Sequence, residues 1–519
     1  MKTIKHIIFL LFTVLATSCD DYLDVKPVGK MIPTEVSQFE NLLNNDKTIG
    51  YFMMDNNSGC CYALLGDNLC LSYNHAHYQY IPSHPNLEVL SAYVFYDRLV
   101  QPNVTPFFWS SGIYGAVAYF NNVIDGINDL GVNDEYSRGV IAQAMAGRAW
   151  IYMNAALTYG PMYDPYGPND TPCIPLRTSG DPIVSNGPLA TTAQLFEQVK
   201  SDLDFACANA PDFTPNAARA NKTAAYALRA EYHMYMRNWN DMLSDISEAW
   251  RLALAAKGSV DNLIYDFNDF YYEQISEIDP APGVDPRVYM EFRGPDLSFD
   301  MVENRENLLY RPSAYGGSPL RFYPSDDWKS IFDKSTDKRW DLFALADEGF
   351  KKKVGDETYD DGIQISYYRR ENMSTTTGLT YPIILLEKAE AEARTGNITD
   401  ALASLNTLRK YRYSGSVTDL PGGSSFDQDQ LLNEILNERR REQHIASFQR
   451  TVDLKRYAFD NGKPWSKQTI VHRIGDKEYS APISSPVFNH INIDNAILKY
   501  NPQWGIALDY DTYAPYDKL

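Results

Sequence analysis

The chain reads as a mainly α protein in which short antiparallel helix pairs stack on one another around a loop-rich inserted subdomain. Three observations predict this. From Pro106 onward the sequence alternates between stretches rich in Ala, Leu and Tyr at helical spacing and long aromatic stretches broken by Pro, Gly and Asn. The helical stretches come mostly in pairs, some joined by only two residues. A pair this short buries its apolar face only by stacking on the next, so the pairs must share one core.

In chain order, residues 20–35 are polar and begin acidic, as suits an extended tether. Phe108 to Ile127 and Tyr136 to Tyr159 form the first helix pair, and Ala193 to Ala208 reads as a lone amphipathic helix entered through Thr191 and Thr192. Lys222 to Met236 and Asn240 to Ala256 are joined at Arg237-Asn238, and Pro382 to Arg394 and Thr399 to Tyr411 at Gly396-Asn397. Gln428 to Gln443 and Phe448 to Phe459 make the last pair. In the Pro382 pair, Ala389 and Ala393 lie one turn apart and let a partner helix approach closely. Gly396 can take the left-handed C-cap, Thr399 can accept the first free amides of the next helix, and Leu402, Leu405 and Leu408 line its face. Such pairs are the texture of degenerate tetratricopeptide repeats. One scaffold over 36–519, with insertions near 50–105 and 260–380, is therefore expected in place of the three domains that length alone suggests at about 150 residues each.

The first eighteen residues read as a secretion signal. Lys2 and Lys5 precede an apolar core from Ile7 to Leu15 that is shorter than the about 20 residues a membrane span needs. Ala16, Thr17 and Ser18 then lead to Cys19, the order of a bacterial lipoprotein signal, with Cys19 as the lipidated residue. Loss of Lys2 and Lys5 with the signal leaves 45 basic against 67 acidic residues, a formal charge of −22. So acidic a chain repels nucleic acid and anionic lipid. Lys351, Lys352 and Lys353 make one local exception, read as a solvated loop run. Cys60, Cys61, Cys70, Cys173 and Cys207 lack CxxC spacing, which argues against a zinc site; Cys60 or Cys61 could bridge to Cys70.

Seven segments carry a family resemblance. They are SCDDYLDVKP (18–27), FWSSGIYGAVAYFNNVI (108–124), GRAWIYMNAALTYGPMY (147–163), KTAAYALRAEYHMYMRNW (222–239), YPIILLEKAEAEARTGN (381–397), NERRREQHIASFQRTVDLKRY (437–457) and APISSPVFNHINIDNAILKYNPQWG (481–505). In this order they resemble the SusD/RagB outer-membrane lipoproteins over nearly the full length. The last departs from the family pattern, with Ser484 and Ser485 at the first proline step. The resemblance implies a lipid-anchored protein facing the cell exterior that captures an oligo- or polysaccharide for a SusC-like TonB-dependent transporter. It also implies that the protein catalyses nothing; a peptide-capturing lid of the RagB type is the alternative, with a glycoside hydrolase behind it.

Chemistry-bearing motifs are sparse. Glu438, Arg439, Arg440 and Glu442 lie along the buried stripe set by Leu432, Ile435 and Leu436, so they read as a structural ion network with Asp453. His75, His77 and His84 lack a third metal ligand, and no Ser-centred elbow, phosphate loop or His-Glu-x-x-His is present. No cofactor is expected, and a calcium ion pinning an acidic loop stays open. What remains are aromatic rings mixed with short polar groups, the combination on which sugar C–H faces stack and hydroxyls bond. Residues 55–80 supply Asp55, Asn56, Asp67, Tyr73, Asn74, Tyr78 and Tyr80; residues 310–328 supply Tyr310, Arg311, Tyr315, Gly316, Gly317, Arg321, Tyr323 and Trp328. Asp326-Asp327 looks like a helix start that would bury Trp328, and Trp109 reads as core.

Overall fold

The computed structural model describes residues 33–49, 61–84, 86–105, 109, 112–276, 288–295, 302, 304–312, 322–367, 376–490 and 492–519. In chain order the elements that matter here begin with α1 (Val36–Leu42), β1 (Leu69–Cys70), α2 (Tyr73–Gln79) and α3 (Leu87–Tyr93). The repeat helices α4 (Ile113–Asp129), α5 (Glu135–Tyr159), α6 (Thr192–Asn209), α7 (Lys222–Tyr235) and α8 (Trp239–Lys257) follow. The insertion holds β2 (Tyr271–Ser276), β3 (Val288–Arg293), β4 (Tyr323–Pro324), α9 (Asp326–Ser330), α10 (Lys338–Phe343), β5 (Ala344–Glu348), β6 (Lys351–Val354), β7 (Glu357–Asp360) and β8 (Ile363–Tyr367). The chain then returns to helices α11 (Tyr381–Arg394), α12 (Ile398–Arg409), α13 (Gln428–Glu442) and α14 (Gln449–Tyr457), and to the hairpin β9 (Thr469–Ile474) and β10 (Lys477–Pro482).

Each predicted helix is present to within a few residues, the first starting at Ile113 and the last ending at Tyr457. Local chemistry explains the boundaries. Thr191 and Gln194 form a reciprocal capping box at the start of α6, as do Asp427 and Gln430 at α13. Arg237 takes a left-handed conformation, φ +61°, to turn α7 into α8, and Gly396 at φ +87° turns α11 into α12. The expected cap at Thr399 is absent: Asn397 stands at the N-cap of α12, without a side-chain bond.

The helix over 192–209 is not alone. It packs along α5, whose pairing with it is the most extensive in the scaffold, and α7 lies on its other side. Sequence hid this partnership because 32 residues separate α5 from α6, including a small ladder of 172–175 with 189–191. Close crossings rest on glycine: a Cβ at Gly147 of α5 would lie 2.4 Å from the Phe120 ring of α4. One continuous set of buried apolar side chains runs from Val36 to Leu498.

The insertion is less loop-like than expected. Its strands pair antiparallel two by two, β2 with β3, β5 with β8 and β6 with β7, and no sheet among the described residues is wider than two strands. The lysine run is therefore not a solvated loop. It is β6, turned back onto β7 through Gly355 at φ +63°.

Candidate ligand face

The two aromatic stretches singled out in the sequence meet in space. β1 pairs with β4, placing Cys70 opposite Tyr323 and Leu69 opposite Pro324. Just beyond β1, the Ser72 side chain accepts the His75 amide at 3.0 Å and starts α2. Asp361, between β7 and β8, clasps both stretches: one carboxyl oxygen accepts from Asn74 Nδ2 at 3.0 Å and the other from the Tyr323 hydroxyl at 2.7 Å. That hydroxyl in turn accepts the Phe350 amide at 2.7 Å.

On the outer side of α2 stand two ring pairs. Tyr73 stacks on His77 with centroids 3.9 Å apart, and Tyr78 stacks on Tyr359 of β7 at 3.5 Å. Tyr73 is 51% exposed, Tyr78 and Tyr359 are half-buried, and the ammonium of Lys352 donates to the Tyr78 carbonyl. Glu357, bonded to the Tyr359 hydroxyl, and the neighbouring Tyr78 raise that phenol's pKa. The Tyr73 ring also lies against the β9–β10 turn, where a Cβ on Gly475 would sit 3.1 Å from it.

A cleft of about 490 Å³ runs between β1, the start of α9 and β9, its lining including Leu69 and Cys70 shortly before α2 in the chain. Asp67 forms its floor. It accepts from Arg450 Nε at 2.7 Å, Lys467 Nζ at 2.6 Å and Arg440 Nη2 at 3.1 Å. Burial alone would raise its pKa, but the Arg440 and Arg450 guanidiniums and the Lys467 ammonium hold it well below the usual carboxylate range. Asp327 behaves alike, burial opposed by Arg440 and Lys467 with a lowered pKa as the outcome. Burial pushes the Cys70 thiol, also in the lining, up to about 11; that thiol lies 3.9 Å from the Pro324 carbonyl and forms no disulfide with Cys61. Val471 and Arg473 of β9 complete the wall.

Several sequence candidates are buried. Trp328 is wholly buried, its ring 4.6 Å from those of Phe332 and Tyr367, because Ser325 caps α9 and turns the indole inward. Tyr80 is buried against His75, Tyr323 lies beneath Phe350 with its hydroxyl spent on Asp361, and Asp67 is consumed by its three cations. Tyr310 and Arg311 are buried too; Arg311 donates to the Ala218 carbonyl at 2.9 Å and faces the Trp150 ring. Tyr73, Asn74 and Tyr78 stand at the outer face. Cys19, Asp55, Asn56, Cys60, Tyr315, Gly316, Gly317 and Arg321 lie outside the described residues. Sequence reasoning passed over Tyr359, Asp361 and the stacking role of His77. The Gly355-Asp356 step between alternating residues of 351–360 was the available hairpin signal.

The Arg-rich segment of α13 is structural, as its spacing suggested. Arg439 reaches Glu387 and Asp453, Arg440 reaches Asp67 and Asp327, and Arg441 pairs with Glu438 at 2.7 Å. Arg339 and Arg412 bind Glu442 from the insertion side and the repeat side respectively.

Comparison with known proteins now adds a second line. Residues 21–234 match a SusD-like family described as starch-binding and associating with the outer membrane, and residues 339–515 match the SusD family. A SusD superfamily protein from Bacteroides thetaiotaomicron superposes with a TM-score of 0.62 at 15% identity, covering 90% of this chain and 98% of that one. A SusD superfamily protein from Bacteroides vulgatus gives 0.58 at 17% identity over 90% and 97%. A SusD-like carbohydrate binding protein from the same species gives 0.57 at 17% over 92% and 99%. No curated protein matches the chain. Among the described residues no helix is long and apolar enough to cross a membrane.

Proposed function

The chain belongs to the SusD/RagB family, and from that premise we propose that it captures an oligo- or polysaccharide at the cell surface and hands it unaltered to a TonB-dependent outer-membrane transporter. The observation that carries this reading is the pair of ring stacks, Tyr73 with His77 and Tyr78 with Tyr359, set at the outer side of α2. Flat rings near the polar side chains of Asn74 and Asp361 suit sugar faces and their hydroxyls. The SusD-like relative from Bacteroides vulgatus is described as carbohydrate binding, which agrees. In this reading the signal over 1–18 is removed, Cys19 carries the lipid, 19–35 forms a tether, and 36–519 acts as one domain.

Binding without chemistry fits the cleft's electrostatics. A glycosidase needs one carboxyl that holds a proton near neutrality. Asp67 and Asp327 are held in the opposite direction by Arg440 and Lys467, which unfits them as general acids.

Affinity electrophoresis of the signal-less protein through gels containing plant, microbial and host polysaccharides tests the proposal. Retardation by one polysaccharide class, relieved in Tyr73→Ala, supports capture. Absence of retardation across the panel turns the reading toward peptide ligands, and release of reducing sugar by the purified protein would overturn the non-catalytic part.

A further inference from the structure

Away from the ligand face, the seam between repeat pairs holds an unusual set of buried charges. Glu231 on α7 and Glu387 on α11 are both buried, and their carboxyls are close enough for the charge of Glu387 to act on Glu231. Yet Oε2 of each finds no donor on any described residue. Two carboxylates supply acceptors only, so a bond between them requires a proton on one.

The surrounding groups leave room for one such proton. From α13, Arg439 donates to Glu387 Oε1 at 2.7 Å and to Asp453 of α14 at 3.3 Å. From α14, Arg456 bonds Asp453 at 3.1 Å and both oxygens of Glu390. Arg394 of α11 joins Glu390 at 2.7 Å to Asp460 at 2.9 Å, and Arg237 at the α7–α8 turn adds 2.6 Å to Asp460. Tyr235 of α7 and Tyr457 of α14 are the buried phenols nearby. Helix α8 contributes Asp245, already bound by Arg229 and beside His233. The connected network thus sets five carboxyls, those of Glu231, Glu387, Glu390, Asp453 and Asp460, against four guanidiniums. One shared proton makes it neutral.

We propose that Glu231 and Glu387 share a proton at neutral pH, so that α7, α11 and α13 are locked together by a carboxyl–carboxylate pair that opens under alkaline conditions. The direction of the titration agrees. Burial, then the opposing carboxylate, raises Glu231 well above the ordinary glutamate range, and burial raises Glu387. A carboxyl raised in the folded state contributes stability that is complete below its unfolded value near about 4.3 and is lost as pH rises through the folded value. The lock is thus closed at neutral pH and yields on the alkaline side.

Infrared spectroscopy of the intact signal-less protein provides the first test. The carbonyl stretch of a protonated buried carboxyl is expected at about pH 7, fading as pH rises, and absent from Glu231→Gln. Gln at 231 keeps the shape and supplies a permanent N–H to Glu387. Thermal melts should therefore show wild-type Tm falling between about pH 6 and about pH 9, and Glu231→Gln falling less, by about 2–4 °C at the alkaline end. Absence of the protonated band in the wild type overturns the proposal without need of a variant. An equal alkaline decline in Glu231→Gln overturns it as well. Neither readout depends on a glycan.

Discussion

At the residue scale, the chain spends its charges inward. Arg439, Arg440 and Arg441 are consecutive, and their side chains serve three bodies: the repeat seam, the cleft floor and the C-terminal end of α9, where Arg441 donates to the Ile331 carbonyl. Buried guanidiniums are costly unless paired, and removing one partner of such a pair costs about 3–5 kcal/mol. Asp67 is the partner shared by Arg440, Arg450 and Lys467. Its carboxyl is depressed in the folded state, so the stability it contributes is present above the unfolded value near about 3.9 and lost as pH falls below it. Asp67→Asn should therefore lower Tm strongly at neutral pH, and the gap to wild type should narrow toward about pH 3. Thermal melts of both proteins across that range check it; a gap constant with pH would contradict the assignment. The pairing of the Arg-rich segment was legible because Arg439 and Arg440 continue an apolar stripe. Asp67 as a partner was not, because it lies 373 residues before Arg440 in the sequence.

At the element scale, the helices were legible from their Ala, Leu and Tyr periodicity and their caps, whereas pairings across long connections were not. The link from α5 to α6 illustrates the difference: nothing local in residues 160–191 states which helix face receives α6. Small residues at crossings were the stronger signal. Gly147 of α5 admits the Phe120 ring so closely that any side chain there collides with it. Gly147→Ala gains about 1 kcal/mol of helix propensity but overpacks the crossing by about 1–3 kcal/mol. The expected net result is a lower midpoint in denaturant titration, partly restored by Phe120→Leu. A midpoint raised by Gly147→Ala alone would show that α4 and α5 do not meet there.

Aromatic residues were less legible than helices for a physical reason. A tyrosine in an insertion looks the same in sequence whether it faces solvent or props a loop. Tyr73 and Tyr78 lie on one helix with Tyr80 just past its end, yet the turn of α2 sends Tyr80 inward against His75. Tyr323 and Trp328 are recruited by β4 and α9 to build the floor beneath. Tyr359 was hidden in a run read as lysine-rich loop, and it is the cross-strand fold of β6 on β7 that brings its ring to Tyr78.

At the scale of the whole molecule, a stacked helical body carries a small-sheet insertion whose hairpin closes over α2, so the scaffold and the candidate ligand face are built by different parts of the chain. The net acidity fits a surface protein that avoids nucleic acid and anionic lipid. Membrane attachment then rests on the lipid at Cys19 in the proposed function. Cys19→Ala should move the protein from the outer-membrane fraction to the soluble fraction while leaving its melting temperature unchanged. Retention in the membrane fraction would place the anchor elsewhere.

The central claim is that the ring stacks on the outer side of α2 hold a glycan, and calorimetric titration of oligosaccharides from a retained polysaccharide tests it most directly. Wild type, Tyr359→Ala and the Tyr73→Ala/Tyr359→Ala double variant should be titrated side by side, with circular dichroism confirming the fold. At about 0.5–1.5 kcal/mol for each ring contact, the single variant should weaken binding by about twofold to tenfold and the double variant by about fivefold to a hundredfold. Full affinity in the folded double variant would contradict the account and move the binding face elsewhere on the molecule.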